Sequence, residues 1–199
     1  MEAFDGGLDI HYTTDGSDPD TGSDLYTEGI MFKEKGQVKA MVHDPESGQT
    51  SEISTLEFDL CKEMWEVINP DPRKDHRGAA TVDSNERTIW RSDRKGSLPV
   101  EVIVDLGESL ELSGFTYLPT QQRYIDGTIS HYKFYVSSDG KQWGKAVSEG
   151  EFSNIRNSPI LQSKSFDSVH ARYIRFVAER EINDGDFVSI AELGVITAN

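Results

Sequence analysis

The chain has one cysteine, no long apolar run and almost no helical periodicity, and each shortage excludes something. Cys61 alone cannot close an internal disulfide, so folding rests on a packed core and the thiol reads as a small apolar side chain. One thiol does not define the redox compartment. No stretch approaches the about 20 apolar residues of a spanning helix, which argues against membrane insertion. No signal-peptide pattern follows Met1, which excludes nothing if Met1 marks where a longer protein was cut. Basic residues are also scarce: 20 Lys and Arg stand against 35 Asp and Glu, a net charge of −15. Residues 1–58 hold 13 acids and 3 lysines, or −10, leaving −5 for the rest. Such a field repels phosphate backbones and makes nucleic acid a poor partner.

Catalytic patterns are missing as well. The five histidines (His11, His43, His76, His131, His170) are scattered without metal-ligand spacing, and there is no nucleophile motif. Glycosidic chemistry needs two carboxylates about 5–5.5 or 6.5–9.5 Å apart across a cleft. Acids are plentiful, but none sits in such a motif, so the chain reads as non-catalytic.

What is present is a succession of short alternating runs separated by Gly, Asp, Asn, Pro and Ser, the pattern of an all-β protein. At 199 residues it suits one or two domains with a sizeable core. Strands are expected over 8–13, 25–32, 37–42 and 52–58, then 64–68, 100–107, 112–118, 131–136, 171–177 and 190–196. Asp139-Gly140, ahead of Trp143, predicts a hairpin. Residues 60–63 form a short join, dividing the chain into 1–59 and 60–199.

One loop, residues 79–90, is rich in oxygen. Asp83, Asn85 and Thr88 offer donors at close spacing, and Trp90 supplies an apolar anchor. A hard cation such as Ca²⁺ takes about six to eight oxygen ligands. A second acid, Glu192, stands in the otherwise apolar strand 190–196, where a carboxylate is costly unless paired or on a metal. The alternative is that Asp83-Ser84-Asn85 is only an Asx turn and that Glu192 lies on a solvated face. The acids Asp15, Asp18, Asp20 and Asp24 read as a solvated turn.

Two resemblances follow from particular residues. Ile10-His11-Tyr12-Thr13-Thr14-Asp15-Gly16-Ser17-Asp18-Pro19, with Ser23-Asp24-Leu25-Tyr26 and Val38-Lys39-Ala40, resembles the immunoglobulin-like module C-terminal to the catalytic domain of bacterial chitobiases and β-hexosaminidases. That implies a small β-sandwich spacer, with a first strand expected before Met1, carrying no catalytic residue. Asp83-Ser84-Asn85 with Thr88-Ile89-Trp90, Val104-Asp105-Leu106-Gly107, Gly114-Phe115-Thr116-Tyr117-Leu118-Pro119, Phe134-Tyr135-Val136-Ser137-Ser138-Asp139-Gly140, Ala171-Arg172-Tyr173-Ile174-Arg175-Phe176 and Ala191-Glu192 together resemble the factor V/VIII type C (discoidin) fold. Within it they are similar to the family 32 carbohydrate-binding modules of bacterial fucosidases and hexosaminidases.

The resemblance implies an eight-stranded galactose-binding-like jelly roll with a structural Ca²⁺. The family's ligands map onto the side chains of Asp83, Thr88 and Glu192 and the carbonyls of Ala80, Asn85, Thr88 and Ala191. The family's sugar-stacking aromatic maps onto Phe187. The polar readers depart from the pattern: Arg91 stands where relatives carry His, Thr120 where they carry Arg, and Asp126 where they carry Asn. A second aromatic position holds Arg94, read as a solvated cation. Arg91, Arg123, Tyr124 and Asp126 with Phe187 are therefore the expected ligand-binding set. By resemblance the ligand is a glycan ending in a galactose- or N-acetylhexosamine-type sugar, and the partner is the catalytic domain of a parent glycoside hydrolase. The location is secreted, periplasmic or cell-surface. The altered reader set leaves a second reading open, a protein-docking or spacer module that has lost sugar binding.

Overall fold

The computed structural model describes residues 7–30, 36–58, 60–70 and 77–198. It divides into two compact units, Met1–Cys61 and Lys62–Asn199.

In the first unit, β1 (Asp9–Thr13), β2 (Asp24–Leu25), β3 (Gly36–His43) and β4 (Ser54–Phe58) form one antiparallel sheet in the order β2-β1-β3-β4. Alternation places Ile10, Val38 and Ala40 inside. The expected strand over 25–32 shortens to β2, and residues 31 and 32 lie outside those described. The acidic turn organises itself: Asp15 accepts from Ser17 N (2.9 Å) and Asp20 from Gly22 N (2.8 Å), while Asp18 pairs with Lys39 (2.7 Å).

Among its described residues the second unit is all-β apart from one 3₁₀ turn at Gly78–Thr81. Its strands are β5 (Glu66–Asn69), β6 (Trp90–Arg91), β7 (Val100–Leu118), β8 (Ile129–Ser137), β9 (Ser148–Glu151), β10 (Gln162–Glu181), β11 (Ser189–Ile190) and β12 (Glu192–Thr197). The main sheet runs β12-β7-β10-β8-β9 with β5 also on β7, and β11 pairs with β6. Two strands expected over 100–107 and 112–118 are one 19-residue strand. Gly107, the last residue of the first expected strand, sits at φ +81° inside it, where an added Cβ would lie 2.8 Å from the Met64 Cβ. β10 pairs with both halves of β7, which keeps the strand continuous through that irregularity.

The long strands wrap an aromatic core. Phe115 and Phe134 are not register partners, yet their rings stack 4.2 Å apart across the interior, with Tyr132, Phe152 and Phe176 around them. All five are nearly solvent-free. Burying each contributes about 1.5–3 kcal/mol, which makes this cluster the main apolar support of the roll. The Asp139-Gly140 turn does reverse the chain, but β8 and β9 are joined by the ten residues 138–147 rather than by a tight hairpin. The longer connection lets Trp143 lie over Arg175, whose guanidinium is 4.9 Å from it and 4.2 Å from Tyr135.

Candidate functional site

The β6–β11 pair is the joint around which two loop clusters gather. Its register sets Trp90 against Ile190 and Arg91 against Ser189. Trp90 is 2% exposed, so the loop that precedes it is anchored in the core.

On one side of the joint is an oxygen cluster. The tight bend at Ser84 (φ +59°) curls the loop so that Asp83 Oδ1 accepts the Asn85 N–H at 3.0 Å. The Asx turn considered from the sequence is therefore present. Glu192, however, is not on a solvated face: it is 8% exposed, and its Oε1 accepts the same Asn85 N–H at 3.1 Å. The Thr88 Oγ1 lies 2.9 and 2.8 Å from the two Asp83 oxygens and 2.8 Å from the Asn85 carbonyl. One hydroxyl has one proton for three acceptors, so oxygen lone pairs converge here without enough hydrogens between them.

Burial raises the Glu192 pKa, and the adjacent Asp83 carboxyl pushes the same way, against the Lys62 ammonium and the Asn85 N–H. Lys62 Nζ sits 2.6 Å from Glu192 Oε2 and 2.9 Å from the Leu193 carbonyl. Both side chains of this pair are about nine-tenths buried. Two carboxylates and one ammonium leave the cluster one negative charge in excess. Ala191 is buried next to Glu192, and Ala80 lies in the 3₁₀ turn that packs against β12. Asp83, Asn85, Thr88 and Glu192 are thus brought together from positions more than a hundred residues apart. Lys62 was not foreseen, since a lysine in a join carries no local signal.

On the other side lie the residues proposed to read a ligand. Phe187 is half-buried rather than free: the Arg94 guanidinium lies 4.6 Å over its ring, and Gly127 (φ +85°) lets the ring edge in where a Cβ would be 3.0 Å away. Arg94 is exposed, as expected of a solvated loop cation, and also partners Phe187. Arg91 donates from Nη2 to Gln122 Oε1 at 2.9 Å, while its buried Nε has no acceptor among the described residues. Asp126 is exposed, and its carbonyl accepts from Ser189 Oγ at 3.0 Å. Arg123 lies over the ring of Tyr124 at 5.7 Å, and Tyr124 is 69% exposed. Phe187, Asp126 and Arg91 are gathered around Ser189. Arg123 and Tyr124 touch each other and stand in solvent.

These loops share a hidden post. Glu181, 3% exposed at the end of β10, accepts Gly127 N–H on Oε1 (3.2 Å) and the N–H groups of Asn183 (2.6 Å) and Gly185 (3.0 Å) on Oε2. One carboxyl group thereby holds both the loop carrying Asp126 and the loop carrying Phe187. Sequence reasoning missed it, because a Glu at the polar end of a strand looks solvated.

A jelly roll presenting charged and aromatic side chains on loops has the form of a recognition module. The known relatives agree. Residues 69–193 match the F5/8 type C domain, and the chain belongs to that family; residues 1–58 match the Fn3 associated family. The chain is similar to CpGH89CBM32-5 from Clostridium perfringens, solved in complex with GalNAc-β-1,3-galactose: 33% identity, TM-score 0.53, 59% of this chain and 81% of that one. It also resembles the C-terminal domain of a chitobiase from Bacteroides fragilis, at 23% identity and TM-score 0.58 over 70% of this chain and 97% of that one, a likeness of fold. Galactose oxidase of Gibberella zeae is 28% identical over 144 residues, 70% of this chain. The chain spans about a fifth (21%) of that relative's length.

Proposed function

We propose that the chain is a non-catalytic carbohydrate-binding region of a secreted or cell-surface enzyme, with unit one as a spacer and unit two as the glycan-binding module. The observation that carries the reading is Arg91: a buried guanidinium N–H without an acceptor, on the strand pair next to the half-buried ring of Phe187. A buried donor left unmet costs about 1–3 kcal/mol, and a sugar hydroxyl would meet it once the Arg91 side chain turns outward. The open part of the Phe187 ring would take the C–H face of a pyranose, with Asp126 accepting from hydroxyls and Arg123 and Tyr124 bordering the site. The sugar-bound relative supports a terminal galactose- or N-acetylhexosamine-type ligand. A chitobiase, hexosaminidase or other glycoside hydrolase is the parent best suited to such a module; tethering to its catalytic domain would raise the effect of weak binding.

The residues of the oxygen cluster fit a structural Ca²⁺. Asp83, Thr88, Glu192 and the Asn85 carbonyl converge with too few protons among them, and the carbonyls of Ala80, Thr88 and Ala191 would complete the ligand set. Held there, the ion would supply positive charge that ties the 79–90 loop to β12. Lys62 would keep Glu192 oriented through its other oxygen.

A glycan array tests the binding reading. Wild type is expected to bind galactose- or N-acetylhexosamine-terminated glycans, and Phe187→Ala to lose them while melting as a folded protein. An unchanged profile in Phe187→Ala would move the site elsewhere. Silence of the wild type across the array would favour docking on a protein surface.

A further inference from the structure

We propose that the first unit carries its own transition-metal site, formed by Asp9, His11 and His43 and taking a divalent ion of the zinc class. Asp9 and His11 are two apart on β1 and so share a face of the sheet. His43 on β3 is the direct register partner of Asp9, which places it on that same face. One carboxylate oxygen and one nitrogen from each ring lie within 4.8 Å of one another. The two rings are 5.8 Å apart and tilted by 58°.

The protonation pattern suits a metal. His11 Nδ1 lies 2.9 Å from the Ser23 carbonyl, which can only accept, so Nδ1 carries the proton and Nε2 presents its lone pair. A backbone carbonyl holding the far nitrogen is how metal-ligating histidines are commonly oriented. His11 is 8% exposed, so its ring is held by the fold, whereas Asp9 and His43 are only half-buried and can rotate inward. The separation exceeds the ~3.4 Å edge implied by ligand bonds of about 2.0–2.2 Å, and side-chain rotation of those two residues closes the difference.

Two imidazoles and a carboxylate select ions such as Zn²⁺ over Ca²⁺, which prefers oxygen alone. Three protein ligands leave a fourth position for water. Among the described residues of the unit the buried apolar side chains are few, and small domains commonly rely on a cross-link of this kind. An ion here would bridge the two central strands, β1 and β3. The sequence concealed the site because His11 and His43 are far apart in the chain and only the register unites them.

The test uses the full chain, stripped with chelator and then freed of it. Titration with Zn²⁺ alone by calorimetry is expected to give one micromolar-or-tighter event, and Co²⁺ to give visible absorption from a nitrogen–oxygen site. His43→Ala is expected to weaken Zn²⁺ binding at least about tenfold and to abolish the Co²⁺ spectrum. Asp9→Asn provides a second variant, since neither change removes the buried His11 ring, and circular dichroism checks folding of both. Zn²⁺ binding that persists undiminished in both variants, or no Zn²⁺ binding by wild type, would overturn the proposal. Added Ca²⁺ is expected to leave the Zn²⁺ isotherm unchanged; displacement by Ca²⁺ would also count against it.

Discussion

Replacing Glu181 by Gln puts the organisation of the ligand loops to a direct test. The carboxyl group accepts three backbone N–H groups, one on Oε1 and two on Oε2. Glutamine can keep its single oxygen toward Asn183 and Gly185, which turns its amide NH₂ against the Gly127 N–H, donor facing donor. A hydrogen bond to a charged acceptor is worth about 1.5–3 kcal/mol, and the abandoned buried N–H carries a penalty of its own. The two costs overlap, so about 2–3 kcal/mol is the expected loss. In a unit of this size that lowers the melting midpoint by roughly 6–12 °C. Trp65, Trp90 and Trp143 all belong to the second unit, so tryptophan fluorescence reports its transition selectively. Hydrogen exchange supplies the local readout, with faster exchange expected at Gly127 than at Asn183 and Gly185. Glu181→Leu, which removes all three acceptors, is expected to be worse than Gln. A Glu181→Gln protein melting within about 1 °C of wild type, with Gly127 equally protected, would refute the reasoning.

Other outcomes follow from the same geometry. Melting in Ca²⁺ should exceed melting in excess chelator by several degrees, since a ligand at about 100 times its Kd adds about 2.7 kcal/mol. Asp83→Asn should erase the difference, and equal midpoints for metal-free and Ca²⁺-loaded wild type would remove the calcium proposal. Arg172 binds Asp105 through two hydrogen bonds of 2.8 Å and, as the largest cause, holds the Asp105 pKa below its ordinary 3.8. A depressed carboxylate stabilises the fold above its unfolded pKa and loses that contribution as pH falls through the lower folded value. The melting advantage of wild type over Asp105→Asn should therefore be full at neutral pH and shrink below about pH 3.8. An advantage independent of pH across that range would sink the assignment.

Much of the architecture could be read in one dimension. Alternation in Ile10–Thr13, Val100–Leu106 and Tyr132–Val136 demanded strands, because a period of two buries one face and no helix can use it. Errors came where a local signal met a tertiary demand. Two strands were expected over 100–107 and 112–118, but pairing of β10 along both halves of β7 carries one strand through Gly107. Phe187, expected on an exposed loop, is half-buried, with Arg94 over its ring and Gly127 at its edge.

Composition and alternation therefore determined the all-β class, and loop chemistry together with the family resemblance named the residues proposed to bind an ion or a ligand. Which of those residues meet was decided only in three dimensions. Lys62 beside Glu192, Glu181 under two loops, and Asp9 with His11 and His43 all depend on strand register and on the path of distant connections. Local sequence carries propensity for backbone conformation. Proximity between residues far apart in the chain is instead set by the burial of the whole core, which alone determines where those side chains finally face one another.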